Sequence, residues 1–297
     1  MSTPTRHHYV PRVHIRKFKK ESGYFLMLKD KNEVKNPRSS ADFFVRNELN
    51  TLGVEGGNKD HSTFENELSF KWDNKFNNFS SDIINNQDTP EKINLETLLF
   101  FFEYSIIAYM RRLKMESEFN NEFLSFKDVI PDFLKAFDSN NIDFSNYSDD
   151  VIEKEKTRLL DFVNELNKLD NIQKSVKYPA LIPSEAKILL PENCHCIIYK
   201  VDEDSFILPD CTITAKKSKE TFDSHGITTN KIELIGIPLT PRLYLEIRNS
   251  DIIGTKENTV CVPKTSKIEE INNRLFSTAY SQVLLNKPEQ LDDLKKI

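Results

Sequence analysis

Hydrophobic and polar residues near the start of the chain follow a strand-like pattern. The run Tyr24–Lys29 predicts a β-strand, Asp30–Asn32 predicts a turn, and Glu33–Lys35 predicts the returning strand of a hairpin. Asp42–Arg46 predicts a third short strand. Pro11 is suited to open a short helix ahead of these strands. The start of the chain is therefore expected to form a small β-meander behind a helical turn.

A helical period replaces this pattern further along the chain. Phe64, Leu68, Trp72 and Phe76 recur every four residues, which places an apolar and aromatic stripe on one face of a helix. Further helices are predicted after Pro90, over Lys92–Glu118, Phe123–Phe137 and Val151–Leu169.

The last third of the chain returns to strand-like segments, in which β-branched and aromatic residues lie between turn signals. These predicted strands are Cys196–Val201, Ser205–Leu208, Thr212–Ala215, Lys231–Ile235 and Leu243–Ile247. Lys267–Leu285 predicts a closing helix. The order of strands, helices, strands and helix indicates an α+β fold, without the regular alternation of a doubly wound sheet.

We expect the chain to form one compact α+β domain over residues 1–297, since a chain of this length can bury a large core. Its expected parts are an N-terminal small β-meander (1–60), a central helical bundle (61–180) and a C-terminal region (181–297). The C-terminal region is expected to hold a mostly antiparallel sheet with a closing helix.

Composition narrows the possible functions. The formal net charge is −5, so nucleic acid can be attracted only by a local basic patch. No apolar run reaches the roughly 18 residues of a membrane span, and the polar start lacks the apolar core of a signal peptide, so we expect a cytoplasmic protein. Four cysteines in a chain of this length need no disulfide framework. The sequence has no P-loop, nucleophile elbow or dinucleotide-binding motif, so the common kinase, hydrolase and dehydrogenase classes lack support.

The segment Arg6–Phe18 is the most unusual chemically, because it holds three of the six histidines. In an extended segment the adjacent residues His7 and His8 face opposite sides, so one of them can enter a site as a metal ligand or general base. The alternative is that a buried histidine tethers the N-terminus through hydrogen bonds.

A basic patch is expected just after the paired histidines. Arg12, His14, Arg16 and Lys17 are spaced to lie on a short helix, where they suit contact with the phosphates of nucleic acid. A solvated basic helix face is the alternative.

Four more residues are candidates for a site. Glu65 suits a metal ligand or general base, but it also suits the capping box of a helix that Ser62 opens. Arg111 and Arg112 end an apolar segment, where they either stabilise a helix C-terminus or reach a phosphate. Asp210 follows an apolar strand and is expected either at the mouth of a site or in an Asx turn.

Cys194-His195-Cys196 combines residue types that bind metals. On a strand, however, the two thiols share one face and His195 takes the other, and the usual zinc spacing is absent. We therefore expect these cysteines to behave as small hydrophobic residues.

The run His7-His8-Tyr9-Val10-Pro11 resembles the opening of a bacterial family, domain of unknown function 4238, whose members begin with HHYVP. Similar features follow in the same order: Glu65 near a helix start, Arg111-Arg112 closing an apolar helix, the segment Phe206–Asp210, and Asn272–Ala279 on a last helix. The resemblance covers nearly the whole chain. It implies a shared set of His, Glu, Arg and Asp residues, which is the set that a metal-dependent phosphodiester site employs.

Two functional hypotheses follow. The first is a metal-dependent phosphodiesterase or nuclease, such as a bacterial antiviral-defence effector or toxin, with Mg²⁺ or Mn²⁺ as cofactor. Its catalytic residues would be His7, His8, Arg111 and Arg112, and its metal ligands would be His8, Glu65 and Asp210. The second is a non-enzymatic module that binds a ligand or a partner, in which the same residues form a structural hydrogen-bond network. The two hypotheses differ in whether these side chains converge in an accessible cleft.

Overall fold

The structure is a computed structural model that describes residues 6–47, 52–53, 59–60, 66, 68–111, 153, 157, 191–217, 221–222, 228–229, 232–254 and 257–294. Its strands are β1 (Arg6–His8), β2 (Phe25–Leu28), β3 (Glu33–Lys35), β4 (Val45–Asn47), β5 (Leu52–Gly53), β6 (Lys59–Asp60), β7 (Cys194–Lys200), β8 (Leu208–Pro209), β9 (Thr214–Lys217), β10 (Thr221–Phe222), β11 (Thr228–Thr229), β12 (Ile232–Thr240), β13 (Leu243–Asn249), β14 (Thr259–Cys261) and β15 (Gln282–Leu285).

The described helices lie between and after the strand-rich segments of the sequence. They are α1 (Arg12–Ile15), α2 (Asn74–Asn85), α3 (Leu95–Arg111), α4 (Ser250–Ile253), α5 (Thr265–Thr278) and α6 (Gln290–Leu294). Short 3₁₀ turns span Arg16–Phe18, Ser40–Asp42 and Pro90–Lys92, and a π-helical turn spans Ser69–Asp73. The α+β class predicted from the sequence is confirmed.

Two larger sheets organise the described strands. A five-stranded sheet has the order β14–β7–β13–β12–β9 and is antiparallel except for the parallel pair β14 and β7. A four-stranded antiparallel sheet has the order β3–β2–β15–β8. The pairs β1–β4, β5–β6 and β10–β11 are separate two-stranded ribbons.

Both faces of the five-stranded sheet are covered, because successive side chains on a strand point to opposite faces. Ile198 of β7 and Leu245 of β13 pack in one hydrophobic cluster with the aromatic residues of α2 and α3. Tyr199 and Tyr244, at the intervening positions, pack in a second cluster with Leu275 of α5. The central strands therefore bury side chains on both faces, which agrees with the β-branched and aromatic residues that the sequence shows along them.

The central helical stripe is confirmed where it is described. Leu68, Trp72 and Phe76 are almost completely buried, whereas Phe64 lies outside the described residues. Helix α3 begins at Leu95, since the side chain of Asn94 accepts a hydrogen bond from the backbone N–H of Thr97 at 2.7 Å. The predicted helices over residues 123–137 and 151–169 lie outside the description, apart from helical positions 153 and 157.

The closing helix is shorter than the sequence pattern predicts. Helix α5 ends at Thr278, and residues 282–285 form strand β15 between β2 and β8. Val283, Leu284 and Leu285 are buried there. The prediction of a helix over residues 267–285 is therefore wrong after residue 278, because the apolar run at its end is buried by a sheet.

The N-terminal meander also differs from the prediction. The β2–β3 hairpin forms as expected, but β2 pairs with β15 from the other end of the chain. The third strand is β4, and it pairs with β1 instead of extending the hairpin. Residues from both ends of the sequence thus share one sheet, a non-local pairing that periodicity does not reveal.

A glycine in β12 makes room for a buried tyrosine. The hydroxyl groups of Tyr244 and Thr214 are 3.0 Å apart across β12. A Cβ atom at Gly236 would overlap Tyr244 Oη and lie 2.8 Å from Thr214 Oγ1. Gly236 is therefore required for the tyrosine to cross the strand.

The substitution Gly236→Ala is expected to lower the free energy of unfolding by about 1–3 kcal/mol, because it overpacks a buried site. Urea denaturation followed by circular dichroism measures this loss. Gly254→Ala is the comparison, since a Cβ atom there would have no neighbour within 4 Å and only the backbone angle φ of 86° opposes it. A loss at Gly236 no larger than the loss at Gly254 would contradict the overpacking argument.

Candidate functional site

His14 lies in the core rather than on the surface, so the prediction that it belongs to a basic helix face is wrong. Its side chain is fully buried and stacks on Phe76 with ring centroids 4.6 Å apart. Nε2 lies 2.7 Å from the carbonyl oxygen of Pro238, and Nδ1 lies 3.3 Å from the hydroxyl of Tyr104. The histidine therefore joins α1 to β12 and α3.

The contacts of His14 define its protonation state. Burial lowers the pKa of His14 from 6.5 to about 4, although the Pro238 carbonyl acts in the opposite direction. In the neutral tautomer that fits both contacts, Nε2–H donates to Pro238 and Nδ1 accepts from Tyr104. His14 is a neutral structural residue at physiological pH.

The paired histidines lie on an extended segment and alternate in burial. His7 is buried in β1 opposite Arg46 of β4. His8 is half-buried, and its Nε2 lies 2.9 Å from the carbonyl oxygen of Ser40. Both imidazoles therefore lie within folded structure that ties the N-terminus down.

Asp210 is a buried carboxylate surrounded by hydrogen-bond donors. Oδ1 accepts from the backbone N–H of Tyr280 at 2.7 Å. Oδ2 accepts from the backbone N–H groups of Ser281 at 2.7 Å and Gln282 at 2.9 Å, and from the Ser281 hydroxyl at 3.1 Å. Burial raises the pKa of Asp210, while these hydrogen bonds act in the opposite direction. This geometry favours a role for Asp210 in ending α5 and starting β15.

The structure describes only some of the residues predicted to hold a metal. No group of three His, Cys, Asp or Glu residues there is arranged to hold a metal ion. Glu65 and Arg112 lie outside the described residues, and Arg111 is the last residue of α3. The assignment of His8, Glu65 and Asp210 as ligands stays a prediction.

Cys194, His195 and Cys196 alternate along β7, as expected for a strand. The Nδ1 atom of His195 lies 2.9 Å from Ser250 Oγ. Burial raises the pKa of each of the two cysteine thiols to about 12. Thiols that stay protonated at neutral pH are poor nucleophiles and weak metal ligands, which agrees with their interpretation as small hydrophobic residues.

An open cavity of about 340 Å³ is lined by positively charged residues from two separate segments of the chain. We call it the basic groove, and its cations are Arg12, Arg16, Lys19 and Arg38, all of them exposed. Tyr24, Ser39 and Ser40 complete its lining. In the described part of the chain, none of the four cations forms an ion pair with a carboxylate.

Two local features build the basic groove. The helical turns over residues 12–18 bury His14, Ile15 and Phe18, so Arg12 and Arg16 lie one turn apart on the outer face. The backbone N–H of Tyr24 donates to the carbonyl of Pro37 at 2.9 Å, which brings Arg38 beside this helix. Gly23 allows that approach, because its φ is 115° and a Cβ atom would lie 2.7 Å from the same carbonyl oxygen.

Two of the arginines influence the pKa of the Tyr24 hydroxyl. Burial raises the pKa of Tyr24, while a hydrogen bond with Ser40 and the charges of Arg16 and Arg12 act in the opposite direction. The backbone carbonyl oxygen of Ser40 also lies 2.9 Å from Nε2 of His8, so this histidine lies next to the wall of the groove. The groove therefore offers guanidinium groups and a hydroxyl to an anion.

The groove contains two residues of the predicted basic patch, and the role of that patch stays a prediction. Arg12 and Arg16 line the groove, whereas Lys17 is half-buried and does not. Sequence reasoning missed Arg38 and Tyr24, because they come from a segment whose proximity to α1 depends on tertiary structure. Lys19 was detectable from its place in the same basic run.

Comparison with known proteins places these features in a family. A family model described as Protein of unknown function (DUF4238) matches residues 6–289. This chain belongs to that family. Neither a search of curated proteins nor a search of solved structures finds a match. The match confirms the resemblance drawn from the HHYVP run, and it includes every residue of the basic groove in this DUF4238 protein.

Among the described helices of the protein, none has the length and apolar character needed to cross a membrane.

The substitution Asp210→Asn is expected to lower the free energy of unfolding by about 1–3 kcal/mol, because an amide NH₂ would face backbone N–H donors and leave one or more unsatisfied. Thermal and urea denaturation measure the loss. Asp202→Asn, at an exposed acid without an ion pair among the described residues, is the control for removing a carboxylate. An Asp210→Asn variant with an unchanged melting temperature but weakened binding of Mn²⁺ would instead support the metal-ligand prediction.

Stability is expected to fall as the pH is lowered from 7 to 4.5. The unfolded chain protonates His14 at its ordinary pKa of 6.5, whereas the folded chain does so only near 4. The contribution of His14 is therefore present above pH 6.5 and is lost on acidification, up to about 3 kcal/mol. Urea denaturation at several pH values measures it. The variant His14→Gln lacks this titration, so an equal pH dependence in variant and wild type would contradict the assignment.

Proposed function

We propose that this DUF4238 protein binds nucleic acid through its phosphate groups, in the basic groove. The observation that carries this proposal is four exposed cations lining one cavity without a carboxylate partner among the described residues. Arginine forks match phosphate oxygens in a bidentate geometry, and phosphate contacts supply most of the affinity of nucleic-acid-binding proteins.

Four positive charges around one cavity repel one another, and no ion pair among the described residues offsets this repulsion. Arg12 and Arg16 are like charges one helical turn apart, which is unfavourable in an isolated helix. Arg16 lies at the C-terminal end of α1, where the helix dipole favours a cation, whereas Arg12 is the first residue of α1 and gains nothing from the dipole. The dipole does not account for Arg38, which comes from the segment after β3 and adds charge to the same cavity. A bound polyanion would stabilise all of these charges together.

Because the net charge is −5, binding of a polyanion depends on where the positive charges are concentrated. A chain with a net negative charge attracts polyanions only where its cations are concentrated. Binding is then expected to depend steeply on salt concentration, since each phosphate contact releases a counterion.

Hydrolysis of the bound nucleic acid stays a separate prediction. His8 lies near the groove, but its Nε2 contacts the carbonyl of Ser40. The hydrogen bonds that surround Asp210 support the non-enzymatic alternative for that residue. Binding without cleavage is therefore the function that the geometry supports best.

The double variant Arg16→Gln/Arg38→Gln is expected to bind a mixed-sequence single-stranded oligonucleotide at least about tenfold more weakly, because two charge-assisted contacts are lost. The slope of log affinity against log salt is expected to fall in magnitude by about 1.4. Fluorescence anisotropy titrations at several salt concentrations measure both quantities.

The matched control is Lys31→Gln/Lys35→Gln, which removes the same charge from exposed positions outside the groove. An equal loss of affinity in both double variants would show that net charge alone governs binding, and the groove assignment would fail. The same mixtures incubated with Mg²⁺ or Mn²⁺ and analysed by gel test hydrolysis. Cleavage by the wild type that His8→Ala abolishes without lowering the melting temperature would support the nuclease hypothesis.

A further inference from the structure

Positive charge is distributed unevenly around the basic groove. The groove itself is lined by four cations and by no carboxylate in the described chain. A neighbouring cavity of about 240 Å³ shares Lys19 and Arg38 with the groove and adds the exposed acid Glu21. All charged residues that line the groove are positive, whereas this side cavity is lined by both positive and negative residues. An anion is therefore less favoured in the side cavity than in the groove.

The charge in the groove exceeds what one internal phosphodiester needs. An internal phosphodiester carries a single negative charge, whereas a phosphate monoester carries about −1.5 to −2 at pH 7 and has three free acceptor oxygens. Arg12, Arg16 and Arg38 supply three guanidinium groups around one cavity, and Tyr24 adds a hydroxyl that already contacts Ser40. This donor set matches a dianionic group with several free oxygens.

The position of Glu21 limits the path of a longer anion. A strand that ran through both cavities would carry its next phosphate past the Glu21 carboxylate, which repels it. A nucleic acid strand whose end lies in the groove does not pass Glu21 and avoids that repulsion.

We infer that the basic groove binds the terminal phosphate monoester of a nucleic acid strand, in preference to internal phosphodiesters. This inference rests on the proposed function and specifies its ligand. The terminal phosphate contacts Arg12, Arg16 and Arg38, and the rest of the strand leaves the groove on the side away from Glu21.

The test compares three single-stranded oligonucleotides of one sequence, carrying a 5′-phosphate, a 3′-phosphate or hydroxyl groups at both ends. Fluorescence anisotropy measures their affinities for the wild type, for Arg12→Gln and for Lys35→Gln. Arg12 is the variant of choice, since it lines the groove but not the side cavity, and it is exposed at the start of α1. Circular dichroism checks that each variant is folded.

The expected result is about tenfold tighter binding of one phosphorylated oligonucleotide, a preference that Arg12→Gln removes and Lys35→Gln retains. Equal binding of all three by the wild type would overturn this inference and leave the proposed function intact. Failure of all three to bind would overturn both. Competition distinguishes a strand end from free phosphate: displacement of the phosphorylated oligonucleotide by inorganic phosphate at equal molar concentration would overturn the assignment to a strand end.

Discussion

The buried carboxylate of Asp210 fixes the position of strand β15, which pairs with β2 from the N-terminal part of the chain. It accepts hydrogen bonds from three successive backbone N–H groups at the point where helix α5 gives way to β15. The backbone N–H of Asp210 donates in turn to the carbonyl of Gln282. Because so many donors surround one charge in a dry environment, the chain reversal has a single satisfied arrangement. The register of β15 follows from it.

That register positions the N-terminal segment and therefore the basic groove. β15 pairs with β2, and the side chain of Gln282 accepts from the backbone N–H of Phe44, next to β4. Tyr24 directly precedes β2 and bonds to Pro37, which places Arg38 in the groove. His14 fixes the other wall, since its contact with Pro238 holds α1 against β12. Two buried polar groups thus orient cations that themselves make no ion pairs among the described residues.

The parts of the fold that were predictable depend on local signals, and the parts that were missed depend on distant contacts. The β2–β3 hairpin and the buried stripe of Leu68, Trp72 and Phe76 follow from turn residues and period. The sequence pattern predicts a helix where strand β15 forms, because a short apolar run suits either structure until its partner strands are known. For the site, Arg12 and Arg16 were predictable from spacing, whereas Arg38 required tertiary structure. His14 was misplaced, since a histidine between arginines gives no sign of which side of the turn is buried.

The contrast between buried and exposed polar groups distinguishes residues that stabilise the fold from residues that are accessible to a ligand. Among the candidate residues, His14 and Asp210 have polar atoms that are occupied by backbone partners, so a substitution there changes stability first. Arg12, Arg16 and Arg38 are exposed and stabilise no described neighbour through an ion pair, so their substitution changes ligand affinity with little change in folding. Loss of function at the histidine or the aspartate would therefore not by itself indicate catalysis. Among the described candidate residues, the exposed cations of the basic groove are the ones whose substitution separates binding from folding.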